Sequence, residues 1–309
     1  MRTVIVGAGA IGSLFAYFLA RCGKEVIILD KYPERAEFIN REGILVEGIS
    51  GKHKVKVKAY CDARKIGASD LVMICVKAPD TSDAVKEILP LLKLDSVVLT
   101  LQNGLGNVER IAELAGLERT VGGTTSQGAT LLQSGHIKHA GEGETIIGEM
   151  SGKITERLTA LKNHLADCGI PVAVTDNLES LIWSKLVINV GINALTAITR
   201  LKNGELLNHE GTRFVMAQAV KEAIEVIKEK GIKLLYDDPN QKVESVCIAT
   251  SGNVSSMLQD VLRKKKTEVA YINGAIVREA GKIGLKAPVN AVLEKLVLTI
   301  EASYDKQLF

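Results

Sequence analysis

A six-residue turn near the start, Gly7-Ala8-Gly9-Ala10-Ile11-Gly12, constrains the fold of this chain more than any other feature. It follows the β-branched run Thr3–Val6 and opens an apolar stretch, Ile11–Cys22, with helical spacing. Each glycine of such a strand–turn–helix has a physical task. Gly7 permits the tight turn, Gly9 lets the backbone approach a pyrophosphate, and Gly12 lets helix and strand pack closely. The helix N-terminus then offers unpaired N–H groups and a positive dipole end to phosphate oxygens. The spacing predicts a dinucleotide site, with Gly7, Ala8, Gly9, Ala10, Ile11 and Gly12 as its candidate contacts. The alternative is a glycine turn that serves packing alone. The stretch from Thr3 to Ala20, uncharged after Arg2, resembles a signal peptide. Its glycines break an apolar helix, so it reads as a strand and helix of the mature fold.

The rest of the first half keeps the same rhythm. Thr3–Val6, Glu25–Leu29, Leu71–Val76, Ser96–Leu101 and Thr120–Gly122 read as strands; Ile11–Cys22, Pro33–Glu42, Thr81–Leu92 and Val108–Ala115 read as helices between them. Ile44–Glu47 and His53–Lys58 read as a hairpin. Thr145–Ile147 and Pro171–Val174 add short strands, with Thr155–Cys168 helical between them. After Asp176 the pattern turns helical: Leu178–Thr199, Glu210–Glu229, Asn240–Val261, Thr267–Gly284 and Pro288–Ser303. The expected class is α/β. A Rossmann-type doubly wound parallel sheet spans residues 1–177, and a C-terminal all-helical domain spans residues 178–309.

Charge and cysteine usage exclude several functions. Thirty-nine basic against 36 acidic residues leave a net charge of only +3, without the electrostatic footprint of a nucleic-acid binder. The run Arg263–Lys266 reads as a solvated helix end or turn, or as a neighbour of a cofactor phosphate. The five cysteines are scattered and never form a Cys-x-x-Cys pair, which argues against a disulfide framework or structural zinc and suits a reducing, cytoplasmic setting. Cys75 reads as a small buried hydrophobe. No metal is expected, since the five histidines form no close ligand set; His136 and His139 read as turn or strand residues. Beyond the N-terminal stretch, no segment reads as a membrane span.

Candidate site residues cluster after predicted strand ends and on one helix. Asp30 ends the second strand, where an acid accepts hydrogen bonds from an adenosine ribose and repels a 2′-phosphate; Lys31 and Arg35 can instead pair with such a phosphate. Lys77 and Asn103 follow two further strands, at the edge where ligands bind in open α/β sheets. Asn103-Gly104 is also a common turn dipeptide. The helix Leu178–Thr199 carries the sharpest signal. Steps of four put Lys185, Asn189 and Asn193 on nearly one side of an otherwise apolar run. Such groups are expensive to bury without partners, and a lysine in a dry cleft loses pKa and becomes a proton donor near neutral pH. The bland alternative is a lysine that reaches solvent and amides that bond backbone.

With these residues placed, the chain resembles the ketopantoate reductases over almost its full length. The matching runs are Leu101-Gln-Asn103-Gly-Leu-Gly, Trp183-Ser-Lys185-Leu, Asn189, Ile192-Asn193-Ala-Leu-Thr-Ala, Asn203-Gly-Glu-Leu, Ser255-Ser256-Met-Leu-Gln-Asp and Thr267-Glu268-Val-Ala-Tyr-Ile-Asn-Gly. The resemblance implies reduction of the ketone of ketopantoate to pantoate, toward pantothenate and coenzyme A, generally with NADPH. It implies Lys185 and Glu268 as catalytic residues and Asn103, Asn189, Asn193, Asn203 and Ser256 as substrate contacts. It places cofactor contacts on the glycine turn, Lys31, Lys77 and Asn103, and Asp30 and Glu268 join them as candidates. Where the family often has proline after its second stripe asparagine, this chain has Ala194, with little effect expected on chemistry. Asp30 departs from the family pattern and makes NADH an alternative donor.

Hydride transfer builds negative charge on the ketone oxygen, and a proton donor in reach lowers the barrier. Lys185 takes that role, placed to face the nicotinamide across the cleft. Asn103, Asn189 and Asn193 offer donors to the substrate carboxylate. Glu268 accepts from the substrate hydroxyl and holds Lys185 through opposite charge. Ser256 is a further donor or a helix N-cap; twelve residues from Glu268, it needs a bend near the basic run to converge with it. The alternatives are a reductase of another small 2-ketoacid, a non-catalytic dinucleotide-binding sensor, and a structural scaffold. The helical half is read as a substrate domain and a possible homodimer surface; no nucleic-acid or membrane partner is expected.

Overall fold

The computed structural model describes residues 1–307. It divides into two compact units, one of residues 1–102 and 106–178, the other of residues 103–105 and the described residues from 179 onward. The short segment Asn103–Leu105 thus belongs with the helical unit, although it follows a strand of the first.

The first unit is built on an eight-stranded sheet. Its strands are β1 (Thr3–Val6), β2 (Val26–Leu29), β5 (Lys58–Tyr60), β6 (Ser69–Ile74), β7 (Leu92–Thr100), β8 (Thr120–Thr125), β11 (Thr145–Glu149) and β12 (Val172–Thr175). They run in the order β12-β11-β8-β7-β6-β1-β2-β5, and every neighbouring pair is parallel except β8 with β11. Both faces are covered, which is why the central strands read as continuous apolar runs. Side chains alternate between two cores: Ile5, Leu71 and Met73 point to one, Val4, Val6, Val72 and Ile74 to the other. Helices α1 (Ala10–Arg21) and α5 (Glu156–Ala166) pack on the first face; α3 (Thr81–Ile88) and α4 (Asn107–Ala115) pack on the second. Strand order reverses between β1 and β6, the switch point at which such sheets bind ligands.

Several elements differ from the sequence expectation. The region read as one hairpin is divided. β3 (Ile44–Gly48) and β4 (His53–Val55) pair antiparallel in a separate four-stranded sheet, whereas β5 joins the main one. That small sheet is completed by an unanticipated hairpin, β9 (Gly128–Gln133) and β10 (His136–Gly141), whose register is broken by two irregularities. The helix expected to reach Leu92 ends at Ile88, because Pro90 removes an N–H and Leu92 already opens β7. The small sheet lies on α1, where Tyr17 stacks on His53 at 6.0 Å and Phe18 meets His139 edge-on at 5.7 Å.

The second unit is helical: α6 (Leu178–Thr199), α7 (Glu210–Glu229), α8 (Pro239–Ala249), α9 (Ser256–Leu262), α10 (Asn273–Lys282) and α11 (Pro288–Ala302). α6 is its core. By length and apolarity this helix could cross a bilayer, contrary to the sequence expectation, but 72% of its most apolar window is buried inside the protein. Gly191 permits the tight packing, since a Cβ there would lie 2.8 Å from Val243 of α8 and 3.1 Å from Val220 of α7. A buried polar relay fixes the far side. Glu222 accepts from the first N–H groups of α11, those of Val289 (2.8 Å) and Asn290 (2.9 Å). Asn290 in turn accepts from Asn273 at 2.9 Å, whose amide also reaches the Val190 carbonyl of α6. The stretch expected as one helix over 240–261 is two, interrupted from Thr250 to Ser255, where Gly252 and Asn253 favour a turn. The stretch expected from Thr267 is a one-turn helix, Val269–Tyr271, followed by α10.

Candidate active site

In the first unit the site is built at four neighbouring strand ends. After β1, Gly7 takes φ +100°, and a Cβ there would meet Val76 within 3.0 Å, so only glycine fits. A Cβ on Gly12 would sit 2.0 Å from the Gly7 carbonyl oxygen and 3.2 Å from Cys75, which is the close helix–strand packing that the spacing predicts. A Cβ on Gly9 would meet nothing within 4 Å. That open space lies at the N-cap of α1, where no side chain among the described residues caps the helix. Its first N–H groups and dipole therefore suit a pyrophosphate. Cys75 is half-buried, and burial pushes its thiol up to about 12.

Asp30, at the end of β2, has partners that the sequence did not reveal. It is buried, at 3% exposure. Its Oδ2 accepts from the Ala8 N–H at 2.7 Å and pairs with the Arg35 guanidinium at 2.8 Å; its Oδ1 accepts from the Tyr32 N–H at 3.0 Å. The carboxylate thus braces the glycine turn, and the charge of Arg35 neutralises it. Arg35 also lies over the Tyr32 ring at 4.7 Å. Lys31 pairs with Asp80 at 2.9 Å, and this bond raises its pKa. Asp80 closes a one-turn helix, Ala78–Asp80, begun by Lys77 just after β6. Gln102, which did not stand out in the sequence, clamps this edge. Its amide donates to the Val76 carbonyl at 2.8 Å and to Thr81 at 2.9 Å. Its place after the β7 strand was the available signal.

In the second unit the polar residues of α6 stand out from an apolar core. Lys185 is half-buried. Burial pushes its ammonium down to about 8, while the negative charge of Glu268 pulls it partly back up. Trp183, Leu186 and Val187, its neighbours in sequence, are all buried. One turn on, the Asn189 Nδ2 is buried and finds no hydrogen-bond partner among the described residues. Such a donor costs about 1–3 kcal/mol to leave unpaired. Asn193, a further turn on, is 6% exposed. Asn203 donates to Thr250 at 2.9 Å, and its buried Oδ1 has no partner among the described residues.

Backbone geometry places two further candidates. Ser255, not Ser256, caps α9, accepting from the Leu258 N–H at 3.1 Å and meeting the Thr196 hydroxyl at 2.6 Å. Ser256 is left in the first turn with an exposed side chain. The chain turns between α9 and Glu268, supplying the bend that the spacing required; Glu268 is 6% exposed and precedes the one-turn helix. The segment carrying Asn103 docks on that same helix. The Leu105 N–H donates to the Tyr271 carbonyl at 3.0 Å, and a Cβ on Gly104 would lie 2.4 Å from the same oxygen. Asn103 therefore belongs to the helical unit, which also carries Lys185 and Glu268. Among the described residues no group of three or more His, Cys, Asp or Glu is arranged to hold a metal ion.

A doubly wound sheet with this glycine turn, together with a lysine of lowered pKa beside a glutamate on a helical unit, defines a nicotinamide-dependent oxidoreductase of the Rossmann class. The profile for "Ketopantoate reductase PanE/ApbA" matches residues 3–152, and that for its C-terminal part matches residues 177–301. The chain belongs to the ketopantoate reductase family. The 2-dehydropantoate 2-reductases of Archaeoglobus fulgidus and Pyrococcus abyssi are 35% and 36% identical to it, covering 97% and 99% of this chain and 98% and 100% of their own. A PanE/ApbA family ketopantoate reductase from Ralstonia eutropha superposes with a TM-score of 0.91 at 34% identity, covering 99% of this chain and 100% of its own. D-mandelate dehydrogenase, in a ternary structure with NADH, superposes with a TM-score of 0.93 at 28% identity over the same shares.

Proposed function

We propose that this chain is a 2-dehydropantoate 2-reductase that uses Lys185 as its proton donor. The observation that carries this reading is the Lys185 ammonium, lowered to about 8 by burial and held against the charge of Glu268. A nicotinamide cofactor held at the glycine turn would supply the hydride for the ketone carbon. The protein must then neutralise the charge that develops on the ketone oxygen. A donor with a pKa near the working pH does this best, since it is protonated yet releases its proton readily. Glu268 keeps Lys185 oriented and accepts a hydrogen bond from the substrate hydroxyl. The unpaired Nδ2 of Asn189 is a ready donor for the substrate carboxylate. Asn103, Asn193, Asn203 and Ser256 complete the polar wall. Gly7–Gly12 would hold the cofactor's pyrophosphate, with Lys77 as a further cofactor contact.

The preferred donor in this reading is NADPH. Asp30 is neutralised by Arg35 and occupied by the Ala8 and Tyr32 N–H groups, so it repels a 2′-phosphate weakly. Lys31, paired with Asp80, and Arg35, paired with Asp30, stand at the end of β2, where the adenosine ribose binds in such sheets, and can turn to a 2′-phosphate. The resemblance to D-mandelate dehydrogenase favours a second reading, a reductase of another 2-ketoacid with NADH. The test is steady-state reduction of ketopantoate, of simple aliphatic 2-ketoacids and of an aromatic one, each with NADPH and with NADH. The proposal expects the highest kcat/KM for ketopantoate with NADPH. A higher value for an aromatic 2-ketoacid overturns the substrate, and a higher value with NADH overturns the donor.

A further inference from the structure

Cys22 and Cys168 lie far apart in sequence and on separate elements, yet they meet at one end of the first unit. Cys22 ends α1 as its C-cap residue, and Cys168 lies in the turn between α5 and β12. The Cys22 Sγ donates to the Asp167 carbonyl at 3.1 Å, the residue immediately before Cys168. The Cys168 Sγ leans back on the His164 carbonyl at 3.5 Å. The contact of Cys22 with the peptide carbonyl just before Cys168 brings the two residues together at this end of the unit. Both line a cavity of about 450 Å³, together with Phe18, Arg21, Ser50 and His139. Cys22 is exposed in it, and Cys168 is half-buried behind.

We infer that Cys22 and Cys168 form a reversible disulfide, with Cys22 as the thiol that meets a hydroperoxide and Cys168 as the thiol that resolves it. The step balances in two parts. The Cys22 sulfur takes one oxygen from the hydroperoxide, giving a sulfenic acid and the corresponding alcohol or water. The Cys168 sulfur then attacks the Cys22 sulfur; the S–O bond breaks, and the hydroxyl leaves with the Cys168 proton as water. The geometry sets the order, because Cys22 is the more exposed of the two thiols. Burial, and then the contact with Cys22, pushes the Cys168 thiol up to about 12, so it stays protonated until the sulfenic acid forms beside it.

The cross-link joins the end of α1 to the turn before β12, spanning most of the first unit. It lies about 18 Å along α1 from the glycine turn, one helix length away. The disulfide is therefore expected to stabilise the unit without altering dinucleotide affinity. Closing so long a loop restricts the unfolded chain, and a rise in Tm of roughly 5–10 °C follows.

The test treats the intact protein with hydrogen peroxide, blocks remaining thiols under denaturing conditions, and maps non-reduced peptides by mass spectrometry. A peptide joining Cys22 to Cys168, reversed by dithiothreitol and absent from Cys22→Ser and Cys168→Ser variants, is expected, together with the higher Tm. The exposed Cys61 serves as the internal reference for unassisted oxidation. Accumulation of Cys22 as sulfinic acid, with Cys168 still fully blocked by the thiol reagent, overturns the inference. So does a cross-linked peptide that contains Cys61 instead.

Discussion

Replacing Lys185 with methionine exposes the cost of burying its charge. From 10.5 to about 8, the lowered pKa corresponds to at most roughly 3 kcal/mol of penalty on the folded protein below pH 8. The side chain retains some surface, and solvent recovers part of that figure, leaving about 1–2 kcal/mol. Methionine matches the length of the lysine stem and carries no charge, so Lys185→Met should be more stable than the wild type by that amount near neutral pH. The sign with pH follows from proton counting. Between about 8 and 10.5 the unfolded chain holds a proton that the folded chain has released, so wild-type stability rises with pH across that window. The advantage of the methionine variant should therefore shrink from pH 8 upward and vanish above 10.5. Urea unfolding of both proteins at a series of pH values measures it. A methionine variant no more stable than wild type at neutral pH, or an advantage that does not change across the window, refutes the reasoning.

Other perturbations separate the parts of the site. Gly9→Ala enters open space and should fold normally while weakening dinucleotide binding at least tenfold; Gly12→Ala meets the Gly7 carbonyl and should cost stability as well, read by thermal melting and cofactor fluorescence. Asn189→Leu removes an unpaired buried donor, so KM for the ketoacid should rise while the melting temperature holds or increases. Asp30→Ala takes away the brace on Ala8 and the partner of Arg35; titration should show affinity for NADPH and NADH falling together, with a stability loss of about 1–3 kcal/mol. A selective gain for NADPH would instead assign Asp30 to the ribose.

Much of the first unit was legible because its signals are local. β-branched runs that end in glycine or a polar residue gave β1, β2 and β6, and the spacing of the three glycines carried the turn. Lys185 was legible for the opposite reason: a charge inside an apolar helical run has no local excuse. What escaped the sequence is non-local. The β9–β10 hairpin is short, rich in small and polar residues, and twice irregular, so no alternation marks it. The break before α9 depends on Ser255 capping a new helix, a choice between two adjacent serines that only backbone geometry makes. Asp30 reads as a ribose ligand until Arg35, five residues on, is seen folded back over it. Asn103 reads as a strand-end residue until Leu105 is found bonded to Tyr271.

The most direct measurement of the central claim, that Lys185 delivers the proton to the reduced ketone, is the kcat of Lys185→Ala for ketopantoate, with cofactor affinity measured on the same preparation. The account predicts a fall in kcat of roughly 10²–10⁴-fold, with the nicotinamide still bound at near wild-type affinity. A kcat within a few-fold of wild type would contradict it.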